Sequence, residues 1–396
     1  MRLSWKKIVV PLLLFCLTEI KGQALANSMI VDTIPVDTSR VEKPVKKSLI
    51  KKLITYLSLD GDQESKKSNK PSISLLGGPF YNTDSKFGVA VMGVSTFRLK
   101  GCDTTEQFSN AQLSFSLSTA KFWSLVFKGN LFTPREAVRV NYWADLSYEP
   151  SYFWGIGYDN GHNDQNKTMQ HKHYLVAKVE GLFRVARGLH MGPTVLFNFN
   201  RSDNIARPWL LEGQALMTYN YGVGAVLEYD SRDLITDAHK GVYFHVGQLF
   251  RPKFLWNRYA FSTTEFQACY YHPVWKGGIV ASEVMGQFNY GNPSWGMMAQ
   301  VGDSYHMRGY YRGRYRDKHM LNFQVELRQH LWHRHGITLW LGGGTAFHNQ
   351  STFKHFLPNW GIGYRFAFRR RMNVRLDIGW AKGGESGIIF GINEAF

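Results

Sequence analysis

Long apolar runs are what this sequence most lacks. The only one lies at the N-terminus, Ile8 to Leu17, behind Arg2, Lys6 and Lys7 and ahead of Ala24-Leu25-Ala26. That layout predicts a secretory signal peptide over residues 1–26 and export from the cytoplasm. No later stretch reaches the roughly 18 consecutive apolar residues of a membrane-spanning helix, which excludes a helical membrane protein. Cysteine is scarce too: of three, Cys16 falls in the leader behind the bulky Phe15, which argues against a lipoprotein, and only Cys102 and Cys269 remain. One pair makes no disulfide framework, and the sequence leaves open whether they bond. Acids are few, 30 against 47 basic residues for a net charge of +17. The leader holds four bases (Arg2, Lys6, Lys7, Lys21) and one acid (Glu19), so the chain beyond it carries about +14. A basic exported chain favours outer-membrane lipids and lipopolysaccharide phosphates, and export leaves out nucleic acid as a partner.

What is present is aromatic residue (15%) and glycine (38 residues). From residue 71 onward the chain alternates with period two over segments of about ten residues, the signature of transmembrane β-strands. Ala111, Leu113, Phe115 and Leu117 share one face, and Gln112, Ser114, Ser116 and Ser118 the other. Leu321, Phe323, Val325 and Leu327 alternate likewise with Asn322, Gln324, Glu326 and Arg328, and Val374, Leu376, Ile378 and Trp380 with Arg375, Asp377 and Gly379. Aromatic clusters such as Tyr152-Phe153-Trp154 and Tyr270-Tyr271 sit near segment ends, as in interfacial girdles. A secreted β-sandwich would alternate too, but it has less use for such clusters.

The pattern predicts sixteen strands, near 72–79, 87–98, 108–118, 121–131, 136–147, 170–184, 187–201, 217–229, 240–252, 258–272, 278–290, 318–332, 336–347, 359–370, 373–383 and 386–396. The expected fold is all-β, a sixteen-stranded antiparallel transmembrane β-barrel over residues 71–396. Thr119-Ala120, Arg371-Met372 and Gly384-Glu385 are expected as periplasmic turns, and 148–169, 202–216, 291–317 and 348–358 as outer loops. Residues 27–70 read as a periplasmic tail, within which Leu49, Ile50, Leu53, Ile54 and Leu57 fall at helical spacing among lysines, a basic amphipathic helix or a tether.

Val301 to Asp317 reads VGDSYHMRGYYRGRYRD, four arginines interleaved with four tyrosines. It is too charged for lipid and too aromatic for an idle loop. Ser304 with His306 could suggest a hydrolase, but neighbours in one loop rarely form a catalytic site, so no catalytic residue is assigned. His171 with His173, and His333 with His335, lack the further ligands of a metal site, and no cofactor loop occurs.

Met307-Arg308-Gly309-Tyr310 after Gly302-Asp303-Ser304, and Tyr229-Asp230-Ser231-Arg232-Asp233 before Lys240-Gly241, resemble the two signatures of the bacterial surface antigen superfamily. That family of sixteen-stranded outer-membrane barrels includes the assembly factor BamA, its relative TamA and the two-partner secretion transporters. Gly391 and Phe396 are similar to the terminal insertion signal of such barrels. The resemblance implies a Gram-negative outer-membrane protein whose loop folds inward, with Arg308, Gly309 and Tyr310 in the lumen. Strand phase turns Glu326 and Asp377 inward as partners for Arg308. It also implies insertion or transport of proteins or lipids, with periplasmic or outer-membrane assembly partners; the alternative is a passive pore or a structural, surface-binding barrel.

The chain departs from the family in four places. Leu341-Gly342-Gly343-Gly344 lacks an inward acid, Asp237-Ala238-His239 lacks a proline, and Glu394 stands where an apolar residue is usual. Residues 27–70 are also shorter than the roughly 50 residues of a compact domain, which leaves no room there for the family's POTRA substrate-handling domains. Glycines in the first and last strands, Gly77-Gly78 and Gly384, Gly387 and Gly391, predict a weakly paired closing seam that could open laterally.

Overall fold

The computed structural model describes residues 72–82, 85–102, 107–203, 205–235, 237–369 and 371–396. The expected signal peptide and the basic helix of residues 46–57 lie outside them. Sixteen strands form one sheet in chain order. They are β1 (Ser72–Asn82), β2 (Lys86–Phe97), β3 (Ser109–Ser118), β4 (Trp123–Phe132), β5 (Val138–Phe153), β6 (Thr168–Ala186), β7 (Leu189–Asp203), β8 (Met217–Asp230), β9 (Gly241–Arg251), β10 (Phe261–Trp275) and β11 (Gly278–Gly291), then β14 (His319–Trp332), β15 (His335–Phe347), β16 (Leu357–Arg369), β17 (Met372–Ala381) and β18 (Ser386–Ile392). Each neighbouring pair is antiparallel. The short β12 (Ala299–Gln300) and β13 (Arg316–Asp317) form a separate two-stranded ladder within the connection from β11 to β14.

The two faces of this sheet reverse the usual polarity. Along β14 the buried side chains are Met320, Asn322, Gln324, Glu326 and Arg328, while Phe323 and Val325 between them are exposed. On β17 Arg375 and Asp377 are buried, and on β8 Thr218, Asn220 and Glu228 are buried between exposed Tyr219, Tyr221 and Leu227. An apolar face left outside fits a chain whose surroundings are themselves apolar.

The sheet also curls around its polar face. Strands lie about 4.8 Å apart, so β5 and β8 would be separated by roughly 14 Å if the sheet were flat. Yet Arg139 on β5 reaches Glu228 on β8 at 2.8 Å, and Lys178 on β6 reaches Glu265 on β10 at 3.4 Å. The first and last strands approach each other, but no hydrogen-bonded ladder joins β1 to β18 among the described residues.

Several boundaries differ from the sequence reading. β5 runs to Phe153 and β6 starts at Thr168, so the connection expected at 148–169 is shorter, its flanks being drawn into the ladder from Phe153↔Thr168 onward. Antiparallel parity also sorts the short turns differently. The connections at 119–122 and 382–385 lie at the same end as the long loops, and only the turn around Arg371 lies at the opposite end. Turn length does not mark the side; the count of strands crossed decides it. The last strand stops at Ile392 rather than Phe396: Asn393 takes φ +67° and donates its N–H to the Asn373 carbonyl at 2.7 Å, turning the end of the chain onto the polar face. Cys102 and Cys269 are not joined to each other.

Candidate functional site

The connection from β11 to β14 returns over the polar face. Its base is closed by the β12–β13 ladder, Ala299↔Asp317 and Gln300↔Arg316, and continued by Val301 N–H donating to the Tyr315 carbonyl at 2.9 Å. Asp303 folds the first turn, its Oδ1 accepting the backbone N–H groups of Tyr305 and His306, both at 2.6 Å. Val301, Met307, Tyr310 and Tyr315 then pack in one buried cluster with Met320 of β14, Ala346 of β15, Leu357 of β16 and Ala381 of β17. Val301, Met307, Met320 and Leu357 each gain roughly 1.5–3 kcal/mol on leaving water, so the loop rests on an apolar footing before any charge is considered.

Arg308 stands at the centre of that footing, fully buried. Its Nη1 donates to Asp377 Oδ2 on β17 at 2.8 Å, and its Nη2 donates to Glu326 Oε1 and, at 3.2 Å, to Gln324 Oε1 on β14. The guanidinium plane lies 3.8 Å over the Trp340 ring of β15, and Asn359 of β16 donates to the Arg308 carbonyl at 3.3 Å. One residue therefore ties four consecutive strands, three through its side chain and β16 through its carbonyl. Two buried carboxylates without a cation would be costly, and a planar fork satisfies both at once.

Gly309 makes the close approach possible. It takes φ +115°, and a Cβ there would lie 3.0 Å from the carbonyl carbon of Gly379. A Cβ on Gly379 would in turn meet the Arg308 carbonyl oxygen at 2.6 Å, so loop and β17 touch backbone to backbone. Tyr310 follows, its hydroxyl donating to the Pro358 carbonyl at 2.8 Å and accepting from Lys382 N at 3.2 Å. Burial first, with the neighbouring Tyr315 and Glu385 adding to it, pushes the Tyr310 phenol well up, so it stays a neutral donor.

The ion-pair network extends beyond Arg308, Glu326 and Asp377. Asp377 Oδ1 also accepts from Arg365 on β16 at 2.5 Å, Asp377 Oδ2 from Arg375 at 3.2 Å, and Glu326 from Arg328 at 2.9 Å. Arg365 in turn holds Glu394 at 2.8 Å, and Arg375 donates to the Ser304 carbonyl at 2.7 Å. Sequence reasoning missed Arg365, Arg375, Gln324 and Trp340 as members of this site. The signal was available, since Arg375 and Asp377 are two residues apart and therefore share a face. Glu394, odd as a terminal residue, is explained by Arg365.

His306 is the other missed contributor. Its Nδ1 lies 3.0 Å from Asp303 Oδ2 and its Nε2 3.2 Å from Glu283 Oε1 on β11. Burial opposes its charge, but the carboxylates of Asp303 and Glu283 outweigh burial and raise its pKa well above the ordinary value. Both ring nitrogens face acids, so His306 is a cationic clasp and has no lone pair to offer Ser304 as a base.

The second motif lies at the opposite end. Arg232 forms a fork on Asp230, with Nε to Oδ1 at 3.0 Å and Nη2 to Oδ2 at 2.8 Å, and stacks 4.1 Å over Tyr243. Asp233 accepts the His239 N–H at 3.0 Å and pairs with Arg371 at 2.8 Å. Gly241 has φ +112°, and a Cβ there would be 2.4 Å from the Ser231 carbonyl oxygen. None of these residues touches Arg308. Gly391 faces Arg375 across the β17–β18 ladder, where a Cβ would press on the guanidinium at 2.7 Å. Phe396 leaves the ladder and packs near Tyr271, with ring centroids 6.2 Å apart, beneath the Arg328 guanidinium. Among the described residues no group of three or more His, Cys, Asp or Glu is placed to hold a metal ion.

No protein-family model matches this sequence, and no curated protein matches it. Solved structures do match its fold. BamA from Haemophilus ducreyi lacking POTRA domains 1-3 is similar with a TM-score of 0.55 at 11% identity, over 82% of this chain and 70% of that one. CdiB from Acinetobacter baumannii gives 0.53 at 10% identity over 83% of this chain, and CdiB from Escherichia coli 0.52 at 10% over 81%. This chain spans only 60% and 59% of those two chains. The resemblance carried by the two motifs thus holds at the level of architecture: the fold of this chain is that of the BamA and CdiB barrels.

Proposed function

We propose that the chain is a Gram-negative outer-membrane barrel in which β1 and β18 close the sheet, the apolar face meets lipid, and loop 301–317 occupies the lumen. On this reading it assists the insertion or transport of proteins or lipids at the outer membrane and is not an enzyme. The observation that carries it is the docking of Arg308 on Glu326 and Asp377, on a polar face backed by an exposed apolar one. Arg308, Gly309 and Tyr310 fix the loop to β14–β17, the four strands leading to β18. The strength of that attachment contrasts with the lack, among the described residues, of a ladder between β18 and β1. A rigid wall ending at an unladdered seam suits lateral passage between lumen and bilayer, with lipids, lipopolysaccharide and periplasmic or outer-membrane assembly partners as the surroundings.

The test is a set of cysteine pairs placed along β1 and β18 in cells that depend on the protein. Cross-linking is expected to stall growth or the assembly of outer-membrane proteins, with recovery on reduction. Full activity with the seam covalently shut would overturn the reading.

A further inference from the structure

The two most exposed large apolar side chains among the described residues belong to one turn. Phe254 and Trp256, 79% and 83% exposed, lie in the connection from β9 to β10, residues 252–260. β9 stops at Arg251, and the register of Val223↔Phe250 sets Pro252 opposite Tyr221 of β8 without an N–H to continue the ladder. Asn257 takes its place. Its Oδ1 accepts the Tyr221 N–H at 2.7 Å, and its Nδ2 donates to the Tyr221 and Pro252 carbonyls, both at 2.9 Å. Tyr259 adds a second tie, its hydroxyl accepting the Ala215 N–H of the β7–β8 connection at 2.9 Å. Trp256, just before the clip, takes φ +61°, a conformation that bulky residues rarely adopt.

The clip sets the level of the turn. Tyr221 lies about 13 Å of strand rise inside the end of β8 at Met217, so the turn is laid alongside β8 and does not stand off its end. Tyr219 and Tyr221 of β8 and Phe250 of β9 are exposed there on the apolar face of the sheet, and Phe254 and Trp256 continue that aromatic patch. Charge in the turn has one sign. Lys253 and Arg258 are exposed, residues 252–260 hold no acid, and neither base has a carboxylate within ion-pair distance among the described residues. Arg251 stands apart, its buried guanidinium donating to Thr263 at 2.6 Å on the polar face. In the β7–β8 connection Trp209 is exposed as well, while Arg207 and Glu212 offset each other in charge.

We propose that turn 252–260 is a lipid-binding element of the outer leaflet. Phe254 and Trp256 sit at the boundary between headgroups and acyl chains, and Lys253 and Arg258 meet the phosphates of lipopolysaccharide. Aromatic rings favour that boundary, and flanking bases reach headgroups on long apolar stems. The patch continues a face that is apolar along the strands and carries two uncompensated bases, which matches an anionic membrane surface. The inference rests on the reading that the apolar face meets lipid, and it adds which lipid is selected and by which residues.

The experiment uses the full chain in two settings. In phosphatidylcholine vesicles brominated near the headgroup, the emission lost in Trp256→Phe should be emission that the bromines quench. Trp360→Phe reports the apolar face itself, where Trp360 is exposed on β16. Quenching of the Trp360 share without the Trp256 share would leave the face in lipid and the turn in water, which overturns this proposal alone. Quenching of neither overturns the underlying reading too. In detergent micelles, calorimetric titration with lipopolysaccharide should give saturable binding that Lys253→Gln combined with Arg258→Gln weakens by about tenfold. Lys276→Gln, in a turn at the opposite end of the sheet, should leave it unchanged. Lipopolysaccharide stripped of its phosphates should bind the native protein no better than intact lipid binds the double variant. Equal affinity of native protein and double variant, or of the two lipids, overturns the assignment. A micellar dimer that Trp256→Ser dissociates names a second copy of the chain as the occupant and overturns it likewise.

Discussion

Arg308 Nη1 lies 2.8 Å from Asp377 Oδ2 across 69 residues of chain, and both side chains are fully buried. The pair joins a loop to a strand that comes three sheet neighbours after the one the loop leads into. Such a contact is geometrically demanding: strand phase must turn Asp377 to the polar face, and the loop must lie flat enough for a guanidinium to reach it. Gly379, two residues on and on the same face, supplies the flatness.

Replacing Arg308 by alanine should release the loop. Glu326 and Asp377 would remain buried beside fewer cations, and breaking a buried pair costs about 3–5 kcal/mol. Limited proteolysis is expected to cut Arg308→Ala within 301–317 while the sheet stays intact in a heat-modifiability assay. Arg308→Lys should rescue only in part, because one ammonium does not span both acids and the Trp340 face. Equal protease resistance of native and Arg308→Ala protein would remove this pair from loop docking.

Gly309→Val tests the backbone contact separately from charge. A branched residue at φ +115°, with its Cβ 3.0 Å from Gly379, is excluded by both torsion and space. The loop should undock although Arg308 is untouched, giving the same cleavage pattern as Arg308→Ala. Gly379→Ala should do so more mildly from the strand side. Native-like protection in Gly309→Val would show that the approach is not tight.

The extent to which this was readable beforehand follows the physics of period two. Alternation between oily and small or polar residues located all sixteen strands, because an apolar exposed face and a polar buried face enforce a strict dyad. Phase alone then turned Glu326 and Asp377 to one face. Alternation is silent about strand ends near Tyr152-Phe153-Trp154, where both faces are protein-covered, and about the side on which a turn emerges. It is equally silent on the fan of arginines around Asp377. Arg365 reaches that acid from β16 because Gly363, opposite Asp377, leaves room; a Cβ there would be 2.2 Å from Asp377 Oδ1.

Loop docking should depend on pH at both ends. The pKa of His306 is raised in the folded state, so its contribution is complete below its ordinary 6.5 and is lost as pH rises through the raised value. Asp303 works the other way. Burial opposes its ionisation, but the His306 charge and the Tyr305 and His306 N–H bonds lower its pKa, so its contribution is complete above 3.8 and is lost as pH falls through the lowered value. Protease protection of residues 301–317 should therefore be greatest between those ordinary values and decline on the alkaline side. His306→Gln should abolish the alkaline decline, and an unchanged profile would exclude the clasp.

Single-channel recording separates a gated lumen from a passive pore. The polar face is crossed by Arg139 to Glu228 and by Lys178 to Glu265, bars that join strands three and four apart. Opposite them the loop covers β14–β17, and Tyr311 reaches back to Tyr152 on β5. If β1 and β18 close the sheet as proposed, these contacts cross its interior, and native protein in planar bilayers should show a small, intermittent conductance. Arg308→Ala should raise the conductance and its noise by freeing the loop, while Lys178→Ala, which removes one bar and leaves the loop attached, should give a smaller and steadier increase. A large steady conductance in the native protein would mean that loop and bars leave a permanent opening, and the chain would then act as a passive pore.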